Sequence, residues 1–200
     1  CIAHSIELRG RYYTVFLNGD AMGKSMQGAG GVLVLGAIIE ANMERTKINF
    51  EIQEQSPELW LKHSFVELQK VFESFDGSML ISLVLGLVDD VTGTLYYINA
   101  EHPGIVLYRE GAAIFVEREL PLERVGFPDA LEQNVKIQTY RLIPGDILFV
   151  GSDGRDDILV GQDARGDRVI NNDNFLFLNH VENSDGDLNM IHEAILASGD

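Results

Sequence analysis

Tyr12-Tyr13-Thr14-Val15-Phe16-Leu17 runs straight into Asn18-Gly19-Asp20-Ala21-Met22-Gly23-Lys24. The first half is aromatic and β-branched and reads as a strand. The second half is an aspartate among small residues. The same grammar recurs where Asp146-Ile147-Leu148-Phe149-Val150 leads to Gly151-Ser152-Asp153-Gly154. A carboxylate at the mouth of a buried strand, beside residues too small to block it, is what a hard divalent cation needs from a protein. The two stretches together point to a metal-dependent hydrolase with Asp20 and Asp153 as its catalytic acids.

Upstream, Ile6 to Asp20 reads as two strands around an Arg9-Gly10-Arg11 hairpin turn. Downstream, Lys24 to about Thr46 spaces Met26, Ala29, Leu33, Ala37, Ile38 and Ala41 as a helix, although Gly28, Gly30, Gly31 and Gly36 interrupt it. Each glycine costs about 1 kcal/mol against alanine in a helix, so close packing on a sheet is expected to compensate. Ser56-Pro57-Glu58 gives an N-cap, a first-turn proline and an early acid, and the helix it starts carries an apolar stripe from Leu59 to Phe75. Trp60 and the phenylalanines of that stripe read as core.

A meander follows. Met79 to Val88, Thr94 to Asn99, Ile105 to Tyr108, Ala113 to Val116 and Asn134 to Leu142 read as strands separated by Asp- and Gly-rich turns. Gly161 to Asn174 reads as polar loop or short helix. Asp187 is expected to cap a final helix with Leu188, Ile191 and Ile195 on one face, closed by Gly199. Antiparallel strands with helices grouped before and after them give an α+β class, a layered antiparallel sandwich flanked by helices.

The 200 residues, 46% of them hydrophobic, suffice for one domain spanning 1–200. Fifteen basic residues against 31 acidic ones leave a formal charge of −16. That surface repels phosphate backbones and anionic lipid, which argues against nucleic acid or membrane as partner. The lone Cys1 excludes an internal disulfide, and a reducing cytoplasm fits best. The apolar runs Val32 to Ile39 and Met79 to Val88 fall short of the roughly 20 residues of a membrane-spanning helix, although a longer parent protein can still be tethered. The first residue is not Met, and the chain is expected to be cut from something larger.

Three segments, in order, resemble one family, the bacterial metal-dependent protein serine/threonine phosphatases related to the stage II sporulation E protein, of PP2C type. Gly19-Asp20-Ala21-Met22-Gly23-Lys24 resembles its Gly-Asp-x-x-Gly-(His/Lys)-Gly motif, and Asn99-Ala100-Glu101-His102-Pro103 resembles its Asn-Ala-Gly-His-Pro strand end. Leu142-Ile143-Pro144-Gly145-Asp146 with Ser152-Asp153-Gly154 resembles its Leu-x-Pro-Gly-Asp and Thr-Asp-Gly pair. The resemblance implies a four-layer α-β-β-α sandwich. It implies two Mn²⁺ or Mg²⁺ ions held by acidic residues, and hydrolysis of phosphoserine or phosphothreonine by a metal-activated water, without a phosphoenzyme. Two adjacent cations make such chemistry possible without a protein nucleophile. Consistently, the chain has no Gly-x-Ser-x-Gly elbow and no nucleotide-type phosphate loop.

Carried over by that resemblance, Asp20 bridges both metals, the Ala21 carbonyl is a ligand, Asp153 is a second acidic ligand, and Asp157 supports or switches the site. The implied partner is a phosphorylated regulatory protein, such as an anti-sigma-factor antagonist. Two further acids of the family's set are expected before and after the sequence given, so this fragment is expected to be feebly active or inactive and the domain truncated at both ends. Ser25 and Glu101 stand where the family has glycines. The competing reading makes Asp20 a helix cap and Asp153 a turn residue, and the chain a non-catalytic interaction domain of the same fold. Lys24 reads as an exposed lysine and His102 as a hydrogen-bonded structural residue. His4, His63, His180 and His192 lack metal-ligand spacing. The Asp163–Asp167 and Asn183–Asp187 runs read as turns rather than calcium loops.

Overall fold

The computed structural model describes residues 1–22, 26–117, 122–127, 135–162, 165, 167–173 and 175–199. Gly23, Lys24, Ser25, Asn134, Asp163, Ala164, Gly166, Asn174 and Asp200 lie outside the described residues. By contacts the chain divides into two compact units, Cys1–His102 with Glu119–Ile143, and Pro103–Arg118 with Pro144–Asp200.

The first unit is built on an antiparallel sheet of β1 (Ile2–Leu8), β2 (Arg11–Ala21), β3 (Ile81–Asp89), β4 (Thr94–Ala100) and β7 (Gln138–Arg141), in the order β1-β2-β3-β4-β7. The expected hairpin closes through Arg9 and Gly10, both at positive φ (52° and 69°), as a two-residue turn requires. Alternation along β2 sorts its residues: Tyr13, Val15 and Leu17 are buried, while Tyr12 and Thr14 are exposed. The turn after β3 is organised by Asp89, whose Oδ1 accepts from the N–H groups of Val91 and Thr92, both at 2.9 Å. Burial pushes the Asp89 carboxyl up, but those N–H groups, the Thr92 hydroxyl and Arg11 outweigh burial and hold it below the usual carboxylate range.

Helices α1 (Met26–Ile48) and α3 (Pro57–Glu73) contribute Leu35, Ile39, Met43, Trp60, Leu61, Phe65, Leu68 and Phe72 to one core with the buried residues of β1, β2 and β3. Leu35, Ile39 and Met43 recur every four residues, one stripe of a helix. Ser56 caps α3, its Oγ accepting from the Leu59 N–H at 3.3 Å, and the Trp60 Nε1–H donates to Thr46 Oγ1 of α1 at 2.8 Å. Close packing explains Gly31, where an added Cβ would stand 3.2 Å from Ala21, Ile81 and Met79. It does not explain Gly36, which faces open space. A short helix α2 (Phe50–Gln53), capped by Asn49, was not legible from periodicity, being one turn long.

The second unit holds a three-stranded antiparallel sheet, order β6-β5-β8, of β5 (Val106–Arg109), β6 (Ala112–Phe115) and β8 (Ile147–Phe149). Val106, Ala113 and Phe149 pack with Phe177, Leu178 and Val181 of α4 (Leu176–Asn183) and Ile191 of α5 (Leu188–Ser198). Arg109 grips Asp146 with two hydrogen bonds of 2.7 and 2.6 Å, fixing the turn that enters β8.

Several expectations are corrected. The Gly161–Asn174 region, expected as loop or short helix, carries β10 (Arg168–Ile170), paired with β9 (Leu159–Gln162). The β-branched residues Val160, Val169 and Ile170 favour extended backbone despite the polar composition around them. Helix α4 was not expected; Phe175 at its N-cap position offers no capping side chain. Asp187 caps α5 as expected, but Leu188 is 68% exposed, so the buried stripe reduces to Ile191 with partly covered Ile195. The strand expected from 134 to 142 is confined to Gln138–Arg141.

Candidate functional site

Asp20 is the penultimate residue of β2, opposite Ser82 of β3. Its neighbour Gly19 faces the helices, since a Cβ there would lie 2.7 Å from Leu35 of α1. Alternation therefore turns Asn18 and Asp20 to the opposite face of the sheet. Asp20 is exposed.

Beneath it on that face is a polar network centred on His102, itself only 4% exposed. The His102 Nε2–H donates to Asn18 Oδ1 at 3.1 Å, an amide oxygen being an acceptor only. Nδ1 then accepts from the Ser82 hydroxyl at 3.0 Å, and the His102 backbone N–H donates to Asn99 Oδ1 at 2.8 Å. Strands β2 and β3 and the end of β4 are thereby locked together next to Asp20. His102 is the hydrogen-bonded structural residue that the sequence suggested, with a positioning role that its strand-end context alone did not reveal.

Glu101 adopts a left-handed backbone (φ 44°), which explains why glycine suits that place. Its Oε2 stands 2.9 Å from Arg124 Nε as an ion pair without the alignment of a hydrogen bond. Another Arg124 nitrogen, Nη1, contacts the sulfur of Met22. Nothing in the sequence singles out Arg124, since an arginine among loop residues reads as solvated.

In the second unit, β8 is followed by a single 3-10 turn, Asp153–Arg155. The Asp153 carbonyl accepts from the N–H groups of Asp156 at 2.7 Å and Asp157 at 2.8 Å, while the Asp153 and Asp157 side chains are exposed. The turn is anchored by Arg155, which is 8% exposed. Its Nη2 donates to the Gly104 carbonyl at 2.9 Å, its Nε donates to Asp156 at 3.0 Å, and its guanidinium lies 4.6 Å over the Phe177 ring. An arginine that follows Asp-Gly gives no sequence signal of burial.

Hard divalent ions select carboxylate and carbonyl oxygens. The exposed Asp20, the adjacent Ala21 carbonyl and the exposed Asp153 are donors of that type, so their chemistry fits Mn²⁺ or Mg²⁺. Asp20 belongs to the first unit and Asp153 to the second. Among the described residues no group of three or more His, Cys, Asp or Glu side chains gathers as a ready metal cage. Among them, too, no helix is long and apolar enough to cross a membrane.

The description of the stage II sporulation protein E (SpoIIE) family matches residues 10–200. No curated protein sequence matches the chain. Among solved structures, the RsbU and RsbW domains of Rv1364c from Mycobacterium tuberculosis share 16% identity at a TM-score of 0.65, over 98% of this chain and 51% of that one. The PP2C phosphatase domain of SpoIIE from Bacillus subtilis, with a fragment of its regulatory domain, shares 15% identity at a TM-score of 0.58, over 98% and 53%. The serine/threonine phosphatase PstP/Ppp of Mycobacterium tuberculosis shares 12% identity at a TM-score of 0.63, over 99% and 92%. The chain thus spans about half the length of the first two. Likeness at these identities establishes an α+β, PP2C-like fold.

Proposed function

Since the chain belongs to the SpoIIE family of PP2C-type phosphatases, we propose that it is the catalytic domain of a protein serine/threonine phosphatase that hydrolyses phosphoserine or phosphothreonine on a regulatory partner protein. The observation that carries this reading is the exposed carboxylate of Asp20 at the end of β2, held over the partly buried Asn18–His102–Ser82 network. A strand end tied on two sides cannot drift, so the carboxylate is presented in a fixed place.

Asp20 and the Ala21 carbonyl, together with Asp153 on its anchored turn, are assigned as oxygen ligands of the divalent ions, and Asp157 as a supporting acid. When bound, Mn²⁺ or Mg²⁺ would supply activation of water and neutralisation of charge on the phosphoryl oxygens. The protein's own part is to orient ligands, through His102 in one unit and Arg155 in the other. A phosphorylated anti-sigma-factor antagonist is the partner class proposed, supported by the pairing of an RsbU with an RsbW domain in the mycobacterial relative.

Phosphate release from a phosphoserine peptide by the natural full-length protein tests the proposal. Release that requires Mn²⁺ and disappears in Asp20→Asn and Asp153→Asn is expected; release indifferent to both substitutions overturns it. A second reading, a non-catalytic interaction domain, draws on the sparse grouping of acidic side chains among the described residues. Thermal stabilisation by Mn²⁺ separates the two, since only a ligand-binding native state gains stability from the ion.

A further inference from the structure

We propose that Arg124 is the cation that receives the phosphoryl oxygens of a phosphomonoester beside Asp20, an inference that rests on the phosphatase reading. The argument begins with register. Ile81 and Val125 exchange both backbone hydrogen bonds, at 3.0 and 2.9 Å, in an antiparallel bridge. One step onward along β3 and back along the opposing segment, Arg124 comes alongside Ser82. Ser82 is already paired with Asp20 on its other side. Asp20 and Ser82 therefore share one row across the sheet, and Arg124 adjoins the isolated Ile81–Val125 bridge one residue from that row.

Face and reach agree with that placement. Val125 is fully buried in the core shared with the helices, so the alternate residue Arg124 turns to the other face, the one that carries Asp20. The contact of Nη1 with the Met22 sulfur puts the tip of the guanidinium one residue beyond Ala21. A thioether is a weak acceptor on a residue that is 48% exposed, and a phosphoryl oxygen is a far better partner for the same N–H.

Glu101 supplies the counter-charge of that cation. Its Oε2 stands against Nε, and it does so from a left-handed backbone that an L residue rarely adopts. The need is electrostatic. A chain of formal charge −16 opposes the approach of a phosphomonoester dianion, and a fixed guanidinium facing it offsets part of that repulsion. A planar guanidinium fork matches the phosphate oxygens.

Inorganic phosphate, titrated into the full chain with saturating Mg²⁺ and followed by melting temperature, is the probe. Arg124→Gln is expected to weaken phosphate binding about tenfold or more, the size of a charge-assisted contact, while Mg²⁺ binding is not weakened. Arg124→Lys is expected to keep part of the affinity. Glu101→Gln, which keeps the cation and removes its counter-charge, is expected to bind phosphate more tightly, and it remains informative if an Arg124 variant folds poorly. A wild-type chain that takes no phosphate, an Arg124→Gln variant within twofold of wild type, or a weaker Glu101→Gln overturns the proposal. Asp20→Asn reads the underlying premise separately: if Mg²⁺ stabilises it as it does the wild type, the metal assignment fails, whatever Arg124 does.

Discussion

Gln69 offers the sharpest test of how the segment bearing Arg124 is held. It is fully buried on α3, and its Oε1 accepts from the Gly126 N–H at 2.9 Å while its Nε2 donates to the Phe127 carbonyl at 2.7 Å. Gly126 itself is fixed by φ +91° and by a space so tight that a Cβ would sit 2.7 Å from the Met79 carbonyl. Leucine is close to glutamine in size, so Gln69→Leu leaves little cavity and reads out the two hydrogen bonds. The buried Gly126 N–H, left without an acceptor, costs about 1–3 kcal/mol, and the Phe127 carbonyl about 1 kcal/mol because solvent reaches it. Extra apolar burial returns about 1 kcal/mol, which leaves a net loss of about 2 kcal/mol. Urea unfolding at a slope near 2 kcal/mol/M would show the midpoint falling by about 1 M at unchanged slope. A fall below about 0.2 M at unchanged slope would show that the amide carries no net weight and that the segment is held by other means.

Two further perturbations follow from backbone and charge. At position 101 the ordinary order of alanine over glycine should invert: both substitutions lose the partly exposed ion pair with Arg124, but only glycine accommodates φ 44° freely. Glu101→Gly is expected to be more stable than Glu101→Ala by about 1 kcal/mol, or 2–4 °C in melting temperature, and equal stabilities would refute the strain argument. Asp89→Asn should cost about 1–3 kcal/mol at neutral pH. The folded-state pKa of Asp89 lies below the ordinary aspartate value of about 3.9. Its contribution is therefore complete above that value and is lost as pH falls through the lower folded value. The stability gap between wild type and Asp89→Asn should accordingly close on acidification below about pH 4, and a gap that stays constant would contradict this linkage.

Local signals were legible where the chemistry is local. Ser56-Pro57 and Asp187 mark helix starts because a side-chain oxygen serves an N–H two or three residues on. Arg9-Gly10 marks a hairpin, both residues lying at positive φ. The family resemblance of residues 10–200, and with it the PP2C-like fold, was also legible, because its motifs are short and keep their order. Interactions between distant residues were not. His102 meets Asn18 across 84 positions, Arg124 meets Met22 across 102, and Arg155 meets Gly104 across 51. Nothing in the local pattern of an arginine tells a solvated side chain from one stacked on a phenylalanine. Helix α4 carries no such signal because it starts without a capping residue, and β9 and β10 carry little because only Leu159-Val160 and Val169-Ile170 stand out from polar surroundings.

The proposal that Asp20 and Asp153 both hold divalent ions is tested most directly by paramagnetic broadening. Substoichiometric Mn²⁺ is added to the isotopically labelled chain and amide signals are followed by NMR. The account predicts that Gly19, Asp20 and Ala21 broaden together with Ser152, Asp153 and Gly154, and that Asp20→Asn or Asp153→Asn abolishes both effects at once. Broadening of one segment without the other, or of neither, would contradict it.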